Sequence, residues 1–332
     1  MLLAGLISFS PTHRGHLIHE NVPVVRGLTA PSPEGRAMRH REQNQPRVKV
    51  YLEGRYRKLV RDLPQTVFWC PECKGHPRRR RKCSYCEGFG KLTRDSVQEL
   101  VGWVLGKAFG TRKHKFHGAG REDMDVRMLG SGRPFILELI NPKTQDVDLA
   151  EAEQVINQRN EGRIEIEGLH WSEKPRVRVL KEGKHAKRYG ALVEVEGQVD
   201  PQTIADLVGQ RIPLAQRTPS RVAHRRADLI RERWIEVQEL KPGDDGSWDL
   251  VVLAQHGTYV KEAISGEGEK TKPSLGELLG GLTCKCLQLD VLGILDEEGE
   301  NEWVAPSRPL PVSFGSGLDA AEAPACSDQP SD

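Results

Sequence analysis

A compact cluster of acids and arginines is the part of this 332-residue sequence whose residue types could make or break bonds. The segment 117–130 reads HGAGREDMDVRMLG, and its charged side chains after the histidine are Arg121, Glu122, Asp123, Asp125 and Arg127. A carboxylate kept ionised by a neighbouring cation can act as a nucleophile or a general base. An ion-paired surface turn would have the same composition. From the spacing alone, both interpretations remain open.

The surroundings of this cluster favour a site on a rigid scaffold. Gly118, Gly120 and Gly130 permit a tight turn and the close approach of a ligand. The run FILELI at 135–140 follows and has the continuous apolar pattern of a buried strand. An acid on a loop directly before a core strand is well placed for chemistry.

Four cysteines form a second group with recognisable spacing. Two CxxC pairs, Cys70 with Cys73 and Cys83 with Cys86, are separated by nine residues. Each pair places two thiolates on one turn, and two such turns close a tetrahedral zinc site that is structural rather than catalytic. A redox or disulfide pair and the CxxCxGxG zinc module of Hsp40-type chaperones are the alternatives. The basic run 78–82 between the pairs is consistent with contacts to phosphate.

Charge is distributed unevenly along the chain, although the formal net charge is only +2. Residues 296–332 contain nine acids and one base, so the preceding residues carry about +10. This excess indicates a polyanionic partner. The sequence contains no apolar run long enough to span a membrane and no basic region before its apolar start, so we expect no membrane association. Reduced thiols and a cytoplasmic location fit these features.

Hydrophobic periodicity predicts a mixed α+β fold with a mainly antiparallel sheet and flanking helices, preceded by a small zinc-knuckle segment. Strands are predicted at 48–54, 135–140, 163–169, 176–180, 190–197, 233–240, 248–264 and 282–294. Helices are predicted at 97–108, 149–157, 201–208 and 273–280. The predicted organisation is a poorly ordered leader (1–46), a zinc-binding segment (47–94), a catalytic domain (95–295) and an acidic disordered tail (296–332).

Several strings along the chain resemble one family of enzymes. GREDMDVRMLGSGRPFILEL contains the Gly-Arg-x-Asp pattern found around the catalytic aspartate of several pseudouridine synthase families. Further strings match in order: GRYRKLVRDLPQT, KRYGALVEV, QRTPSRVAHRRADLIR, HGTYVKEAISG and TKPSL. Together they resemble, over about residues 50–295, the archaeal and eukaryotic tRNA pseudouridine synthase family numbered ten. Archaeal members carry an RNA-binding THUMP-containing domain ahead of this region, and the short leader here does not match it.

The resemblance implies an isomerase with the pseudouridine synthase catalytic fold, acting on uridine 54 and/or 55 in the TΨC loop of tRNA. The reaction moves the uracil from an N1–C1′ to a C5–C1′ bond and needs no organic cofactor. Asp123 is implied as the catalytic carboxylate, with Asp125 as its rival two residues on. The residues expected to bind the substrate or to assist the acid are Tyr189, Lys261, Arg121, Arg127, Arg221 and Arg225.

The expected partners and cofactor follow from these assignments. Zinc is expected as a structural ion on Cys70, Cys73, Cys83 and Cys86, and the TΨC arm of tRNA is the expected macromolecular partner. No obligate protein partner is evident in the sequence. The alternative function is a zinc-knuckle protein that binds or folds tRNA without catalysis, which would bind tRNA and yet leave its uridines unchanged.

Overall fold

A computed structural model describes residues 48–243 and 246–301 of the chain. The predicted leader, 1–46, and most of the predicted acidic tail, from 302 onward, lie outside these residues. The described strands are β1 (Lys49–Lys58), β2 (His114–Gly118), β3 (Arg127–Ile140), β4 (Ile164–Ser172), β5 (Lys187–Glu196), β6 (Arg211–Arg217), β7 (Ile230–Pro242), β8 (Trp248–Ala254), β9 (Thr271–Lys272) and β10 (Thr283–Ile294).

These strands form one sheet in the order β4-β1-β3-β10-β5-β8-β7-β6-β9, with β2 paired to the distal half of β3. The pairs are antiparallel except β3–β10, which is parallel over two residue pairs. Strand β10, the last long strand among the described residues, therefore lies at the centre of the sheet. The mixed, mainly antiparallel α+β class predicted from the sequence is confirmed.

Short helices and one 3₁₀ turn connect the strands. They are α1 (Pro77–Arg80), α2 (Val97–Ala108), α3 (Leu149–Arg159), α4 (Lys174–Glu182), α5 (Pro201–Leu207), the 3₁₀ helix (Ser220–Arg225), α6 (Val260–Ser265) and α7 (Leu275–Leu278). Helix α2 begins where the sequence predicts, because the Ser96 side chain accepts the Glu99 amide at 3.2 Å. Asp148 caps α3 in the same way, accepting the amides of Ala150 and Glu151.

A single apolar cluster holds the two halves of the sheet and the helices together. It includes buried residues of β1, β3, β5, β7, β8 and β10 and the inner faces of α2, α3, α6 and α7. Phe135 and Leu137 of β3 and Val291 of β10 are almost fully buried within it. Burial of each such side chain contributes roughly 1.5–3 kcal/mol, so the centre of the sheet is the most strongly stabilised part of the described chain.

Two predicted strands are helices in the structure. Residues 176–180 belong to α4, which begins with Pro175 in its first turn and packs Val177 and Leu180 against the sheet. The end of the predicted strand 248–264 belongs to α6, which buries Val260, Ala263 and Ile264. The inward-facing residues are three positions apart in α4 and three and four positions apart in α6, which is the helical spacing. Tertiary packing selects this spacing over a short alternating pattern.

Two other strands are longer than their patterns indicate. Strand β1 does not end at Gly54 but continues to Lys58, with a shift in its register to β4 between Glu53 and Arg55. Strand β3 begins at Arg127 rather than at Phe135, so the GSG sequence lies inside it. Gly132 has a φ of +75°, and a Cβ there would lie 2.8 Å from the Tyr56 carbonyl oxygen.

The cysteine-rich residues form a cluster apart from the main core. Cys70, Cys73 and Cys86 are buried among themselves with Cys83 alongside. Strand β1, which precedes them, instead pairs with β3 and β4 in the main sheet. The predicted boundary at residue 95 therefore does not separate β1 from the strands that follow it. No helix in residues 48–243 and 246–301 is long and apolar enough to cross a membrane.

Candidate active site

A cleft of about 480 Å³ lies over β5 and β10 and contains the predicted catalytic residue. The loop before β3, the 3₁₀ helix, β7 and the start of α6 supply its other walls. The cationic residues that line it are Arg121, Arg133, Lys187, Arg221, Arg226, Arg231, Arg233 and Lys261. The two lining acids, Glu122 and Asp123, each pair with an arginine. The cleft therefore suits an anionic ligand.

Asp123 stands at the start of a tight turn that leads into β3. The Val126 amide donates to the Asp123 carbonyl at 3.2 Å and closes the turn. The ammonium of Lys58, fully buried beneath the loop, donates to the carbonyls of Leu63, Asp123 and Met124 at 2.8, 3.1 and 2.9 Å. These bonds fix the backbone that carries Asp123, because a buried ammonium without hydrogen-bond acceptors would cost free energy.

Arg221 links Asp123 to a second acid. Its Nη1 donates to Asp123 Oδ2 at 2.6 Å, and its Nε and Nη2 donate to the two carboxylate oxygens of Glu262 at 2.5 and 3.1 Å. Glu262 is buried on α6, whereas the Asp123 side chain retains 32% exposure toward the cleft. The bidentate bond to Glu262 orients the guanidinium, and the remaining nitrogen then holds the Asp123 carboxylate.

Glu122, directly before Asp123, has a structural role. It forms a buried ion pair with Arg133, with Nε and Oε2 2.8 Å apart and both side chains 1% exposed. The Tyr56 hydroxyl donates to the same carboxylate, and Arg133 Nη1 donates to the Ala119 carbonyl at 2.6 Å. Loss of one partner of such a pair typically costs about 3–5 kcal/mol. Glu122 thus anchors the loop that carries Asp123.

Tyr189 and Lys187 lie next to each other in the cleft wall on β5. Burial raises the pKa of Tyr189 to about 12, with the negative charges of Asp123 and Glu122 adding to the effect and Arg133 opposing it. The phenol is therefore neutral at neutral pH. Burial, followed by the positive charge of Arg133, lowers the pKa of Lys187 to about 7. Its ammonium donates to the His185 carbonyl at 2.9 Å.

Three other predicted site residues line the cleft, but their partners differ. Arg121 and Arg221 line the cleft with Asp123 and Tyr189. Lys261 also lines it, but its ammonium pairs with Asp125 at 2.6 Å instead of with Asp123.

Asp125 is the exposed member of the acid cluster. Its side chain is 61% exposed and is absent from the cleft wall. Although burial raises it, the pKa of Asp125 is lowered overall by the hydrogen bond and charge of Lys261.

Arg127, which was expected to assist the acid or the substrate, is not among the residues that line the cleft. Its Nε and Nη2 donate to the two oxygens of Asp290 on β10 at 3.0 and 2.5 Å. Arg61 pairs with the same carboxylate at 2.8 Å. These bonds tie the start of β3 to β10 where the two strands pair in parallel. Arg225 lies in the 3₁₀ helix, and its side chain is outside the part of the chain that the structure describes.

Four functional residues were not singled out from the sequence: Lys58, Arg133, Lys187 and Glu262. All four lie inside the family-like strings, but the strings gave them no role. Glu262 directly follows Lys261, and only the helical geometry of α6 turns it toward Arg221. No local pattern distinguishes these residues from surface charges; burial does.

The four predicted metal ligands come together as a cluster. Their sulfur atoms lie within 4.8 Å of one another, with Cys70 and Cys83 3.7 Å apart and Cys73 and Cys86 3.6 Å apart. A tetrahedral ion with bonds of about 2.3 Å separates its sulfur ligands by about 3.8 Å. The Gly90 amide donates to Cys86 Sγ at 3.1 Å, as expected beside a thiolate ligand. The cluster can hold one metal ion and leaves no ligand position open.

Together, the fold and the cleft define a mixed α+β domain built around a carboxylate–arginine pair in a cationic pocket, a class suited to nucleic acid or another polyanion. The chain belongs to the family described as Pus10, C-terminal, whose model matches residues 51–295.

Curated relatives carry the name tRNA pseudouridine synthase Pus10. The protein from Korarchaeum cryptofilum is 43% identical over 251 residues, 75% of this chain and 66% of the relative. That from Methanopyrus kandleri is 42% identical over 255 residues, 76% of this chain and 57% of the relative. That from Methanothermobacter marburgensis is 44% identical over 248 residues, 74% of this chain and 60% of the relative. The chain thus spans less than two thirds of their length.

A solved structure titled "Crystal Structure of a Cbf5-Nop10-Gar1 Complex" shows a weak likeness. It has 17% sequence identity and a TM-score of 0.31, and covers 75% of this chain and 58% of that chain.

Proposed function

We propose that this chain is a tRNA pseudouridine synthase that isomerises uridine 54 and/or 55 of the TΨC loop. The observation that carries the proposal is the Asp123–Arg221 pair, with Nη1 and Oδ2 2.6 Å apart, in a cationic cleft that Tyr189 also lines. The names of the relatives support the reaction, and the chain shares with them the region from residue 51 to residue 295. The choice of uridine 54 or 55 rests on the resemblance described above.

Asp123 is the residue proposed to react with the nucleoside. The carboxylate either attacks C1′, which releases the uracil from N1, or takes the C2′ proton in an elimination. The base then turns and C5 bonds to C1′, which breaks the ester to Asp123 in the first route and is accompanied by return of the proton to C2′ in the second. The C5 proton leaves and N1 gains a proton, so the product is an isomer of the substrate. The Arg221 guanidinium favours the charged form of the acid and fixes its direction.

Tyr189 is proposed as the group that positions the uracil. A phenol with a pKa of about 12 is neutral at neutral pH, so stacking and hydrogen bonding are the roles open to it in the free protein. Arg226 and the β7 arginines Arg231 and Arg233, with Arg121, would bind the phosphates on either side of the reacting uridine. The uridine must leave its stack to enter the cleft, which costs a few kcal/mol that these contacts offset.

The cysteine cluster is proposed to bind zinc as a structural ion. Four thiolates at tetrahedral separations are a typical zinc ligand set, and the bound ion would hold the two CxxC turns together. The ion takes no part in the chemistry, because the cluster shares no residue with the cleft lining. Reduced thiols also fit a cytoplasmic location, which we include in the proposal.

The test is to map pseudouridine after incubation of the protein with an unmodified tRNA transcript, using carbodiimide labelling and primer extension. Asp123→Asn should abolish the label at positions 54 and 55 while tRNA binding persists, because the variant keeps the shape of the acid and loses its charge. Transcripts with cytidine at 54 or 55 identify the reacting position.

Asp125→Asn is the matched control, since Asp125 lies in the same turn with its side chain exposed. It should retain most of the activity. If Asp125→Asn loses the label and Asp123→Asn keeps it, the assignment of the catalytic acid is wrong. If the wild-type protein binds tRNA and forms no pseudouridine, the non-catalytic tRNA-binding function replaces the proposal.

A further inference from the structure

We propose that a groove along α2, with Trp103 as its stacking platform, is a second RNA-binding site that takes an unstacked base and its flanking phosphates. The groove has a volume of about 960 Å³ and lies between α2, the end of α3 and the loop before β2. It shares no lining residue with the cleft around Asp123. The site goes beyond the proposed isomerase activity, which needs only the cleft.

Trp103 is the central feature of the groove. Its side chain is 52% exposed although it lies in the middle of a helix that packs on the core. The Arg159 guanidinium lies 4.1 Å from the ring centroid, and the Lys107 ammonium lies 5.6 Å from it. These cations flank the indole and leave part of it exposed to solvent. An indole beside two cations is the arrangement with which single-stranded nucleic acid is bound, by stacking and phosphate contacts together.

Two glycines of α2, Gly102 and Gly106, line the groove beside this ring. A Cβ at Gly102 would lie 2.4 Å from His114 Nε2, and one at Gly106 would lie 2.6 Å from the Thr111 carbonyl oxygen. Close packing of α2 on the β2 region therefore explains both glycines without a ligand. The same reasoning does not explain Trp103, which is exposed and is not among the side chains packed on either core cluster that the strands form.

The charges in the groove favour an anionic partner. Its two acids are already neutralised, since Asp95 pairs with Arg163 at 3.1 Å and Glu99 with Lys91 at 2.5 Å. Four exposed cations, by contrast, form no ion pair with any carboxylate in the described part of the chain: Arg94, Lys107, Arg112 and Arg159. An uncompensated cluster of this kind attracts phosphate.

A protein partner fits the groove less well. Leu100 and Trp103 are the large apolar side chains in its lining, and the remaining residues are glycines and polar or charged groups. The centre of a protein–protein interface is depleted of charge and rich in apolar contacts. RNA therefore matches the described surface better, because it offers a ring to stack and phosphates to pair.

The experiment measures binding of an unmodified tRNA transcript to the full chain in the Asp123→Asn background, so that the result does not depend on catalysis. Trp103→Ala should weaken the affinity roughly fivefold to a hundredfold, the range found for removal of one base-stacking side chain. Trp103→Phe should restore most of the affinity because it keeps a ring. Arg112→Ala should weaken binding and lower the slope of log K against log salt by about one.

Val208→Ala serves as the matched control, since Val208 is an exposed apolar residue that lines neither the cleft nor the groove. It should bind tRNA like the parent protein. With the wild-type acid restored, Trp103→Ala should raise KM and leave kcat unchanged. If Trp103→Ala and the control bind tRNA equally, the inference is overturned and the groove is free for a protein partner.

The choice of tRNA as the probe rests on the proposed function, and the two can fail separately. If the wild-type protein forms no pseudouridine but Trp103→Ala weakens tRNA binding, the isomerase proposal is refuted. The proposal that the groove binds RNA then stands. If the wild-type protein forms pseudouridine and Trp103→Ala leaves its tRNA affinity unchanged, the isomerase proposal stands and the groove proposal is refuted.

Discussion

At the scale of single residues, the site depends on charges whose state is set by burial. Asp123 is held by Arg221, and Arg221 is held in turn by the buried carboxylate of Glu262. Lys187 and Arg133 bring two more positive groups to the same wall of the cleft. Because like charges repel and the site is partly desolvated, the cleft stores electrostatic free energy that an anionic ligand would relieve.

The lowered pKa of Lys187 makes the cost of burying positive charge measurable as a change in stability with pH. Its folded-state pKa of about 7 lies below the usual value of 10.5, so the unfolded chain binds its proton more tightly. Between these two pH values the unfolded state carries the extra proton, and the free energy of unfolding therefore rises with pH. Below pH 7 both states are protonated, and the full cost of burying the charge remains.

Lys187→Met should therefore be more stable than the wild type at pH 6–7. This advantage should shrink by roughly 1 kcal/mol per pH unit as the pH rises from about 7 toward 10. Urea unfolding of both proteins across this range measures the difference. Lys184→Met is the control, because Lys184 is exposed three residues away and its loss should change stability by less than about 0.5 kcal/mol. A difference between Lys187→Met and wild type that is independent of pH would contradict the prediction.

The sequence identified those residues whose string resembles a family motif with a known role. The Gly-Arg-x-Asp pattern led to Asp123, and KRYGALVEV led to Tyr189; both line the same cleft. Glu262 and Arg133 also lie inside family-like strings, but nothing local indicates their contacts. Glu262 meets Arg221 across 41 positions of sequence, and only the tertiary fold shows that Arg133 is buried rather than solvated.

At the scale of elements, helices with capped ends were predictable, and so were the alternating strands at 163–169 and 190–197. The alternating segment 176–180 and the end of 248–264 were not, because they are helices. Helix α2 has an N-cap at Ser96 and an apolar stripe, so local signals and packing agree. In α4 and α6 the pattern covers too few residues to distinguish a period of two from one of 3.6, and packing against the sheet decides. Strand β2 was missed because HKFHG at 114–118 is half-buried and highly charged.

The cysteine segment is the element whose order should depend on a ligand. Its cysteines form their own small cluster. The four-residue helix α1 lies between the two CxxC turns and buries none of its side chains. A segment of this size cannot bury enough apolar surface to fold alone, so a bound metal ion should supply most of its stability.

Metal analysis should therefore find about one zinc ion per chain, and Cys70→Ser or a strong chelator should remove it. Trypsin should then cut faster at the basic run 78–82, because the two turns no longer hold it. Cleavage at Arg178, an exposed arginine on α4, is the internal reference and should keep its rate. Equal cleavage of the run with and without metal would show that the cysteines hold the segment without an ion.

At the scale of the whole molecule, the fold class followed from the mixture of strand and helix signals, whereas the strand order did not. Strand β10 was predicted at its correct position near residues 283–294, but nothing local shows that it enters the sheet between β3 and β5. Its pairing with β5 spans almost its whole length, and its contact with β3 is a short parallel ladder. Such non-local pairing depends on how the two halves of the sheet pack, which periodicity cannot encode.

The position of β10 predicts that the chain cannot fold without this strand. Four of its buried residues belong to the main core: Cys284, Leu289, Val291 and Ile294. Each large apolar side chain contributes roughly 1.5–3 kcal/mol, and a domain has only about 5–15 kcal/mol of net stability. Removal of β10 would also leave the facing edges of β3 and β5 unpaired.

A chain ended after Leu282 should therefore lose cooperative unfolding in urea and most of its amide-exchange protection in both halves of the sheet. A chain ended after Asn301 keeps β10 and every described residue, so it is the control and should retain a cooperative transition. Far-UV circular dichroism during urea titration, followed by hydrogen exchange, compares the two. If the shorter chain retains a cooperative transition, β4-β1-β3 or the strands from β5 to β9 fold independently, and β10 only joins two autonomous halves.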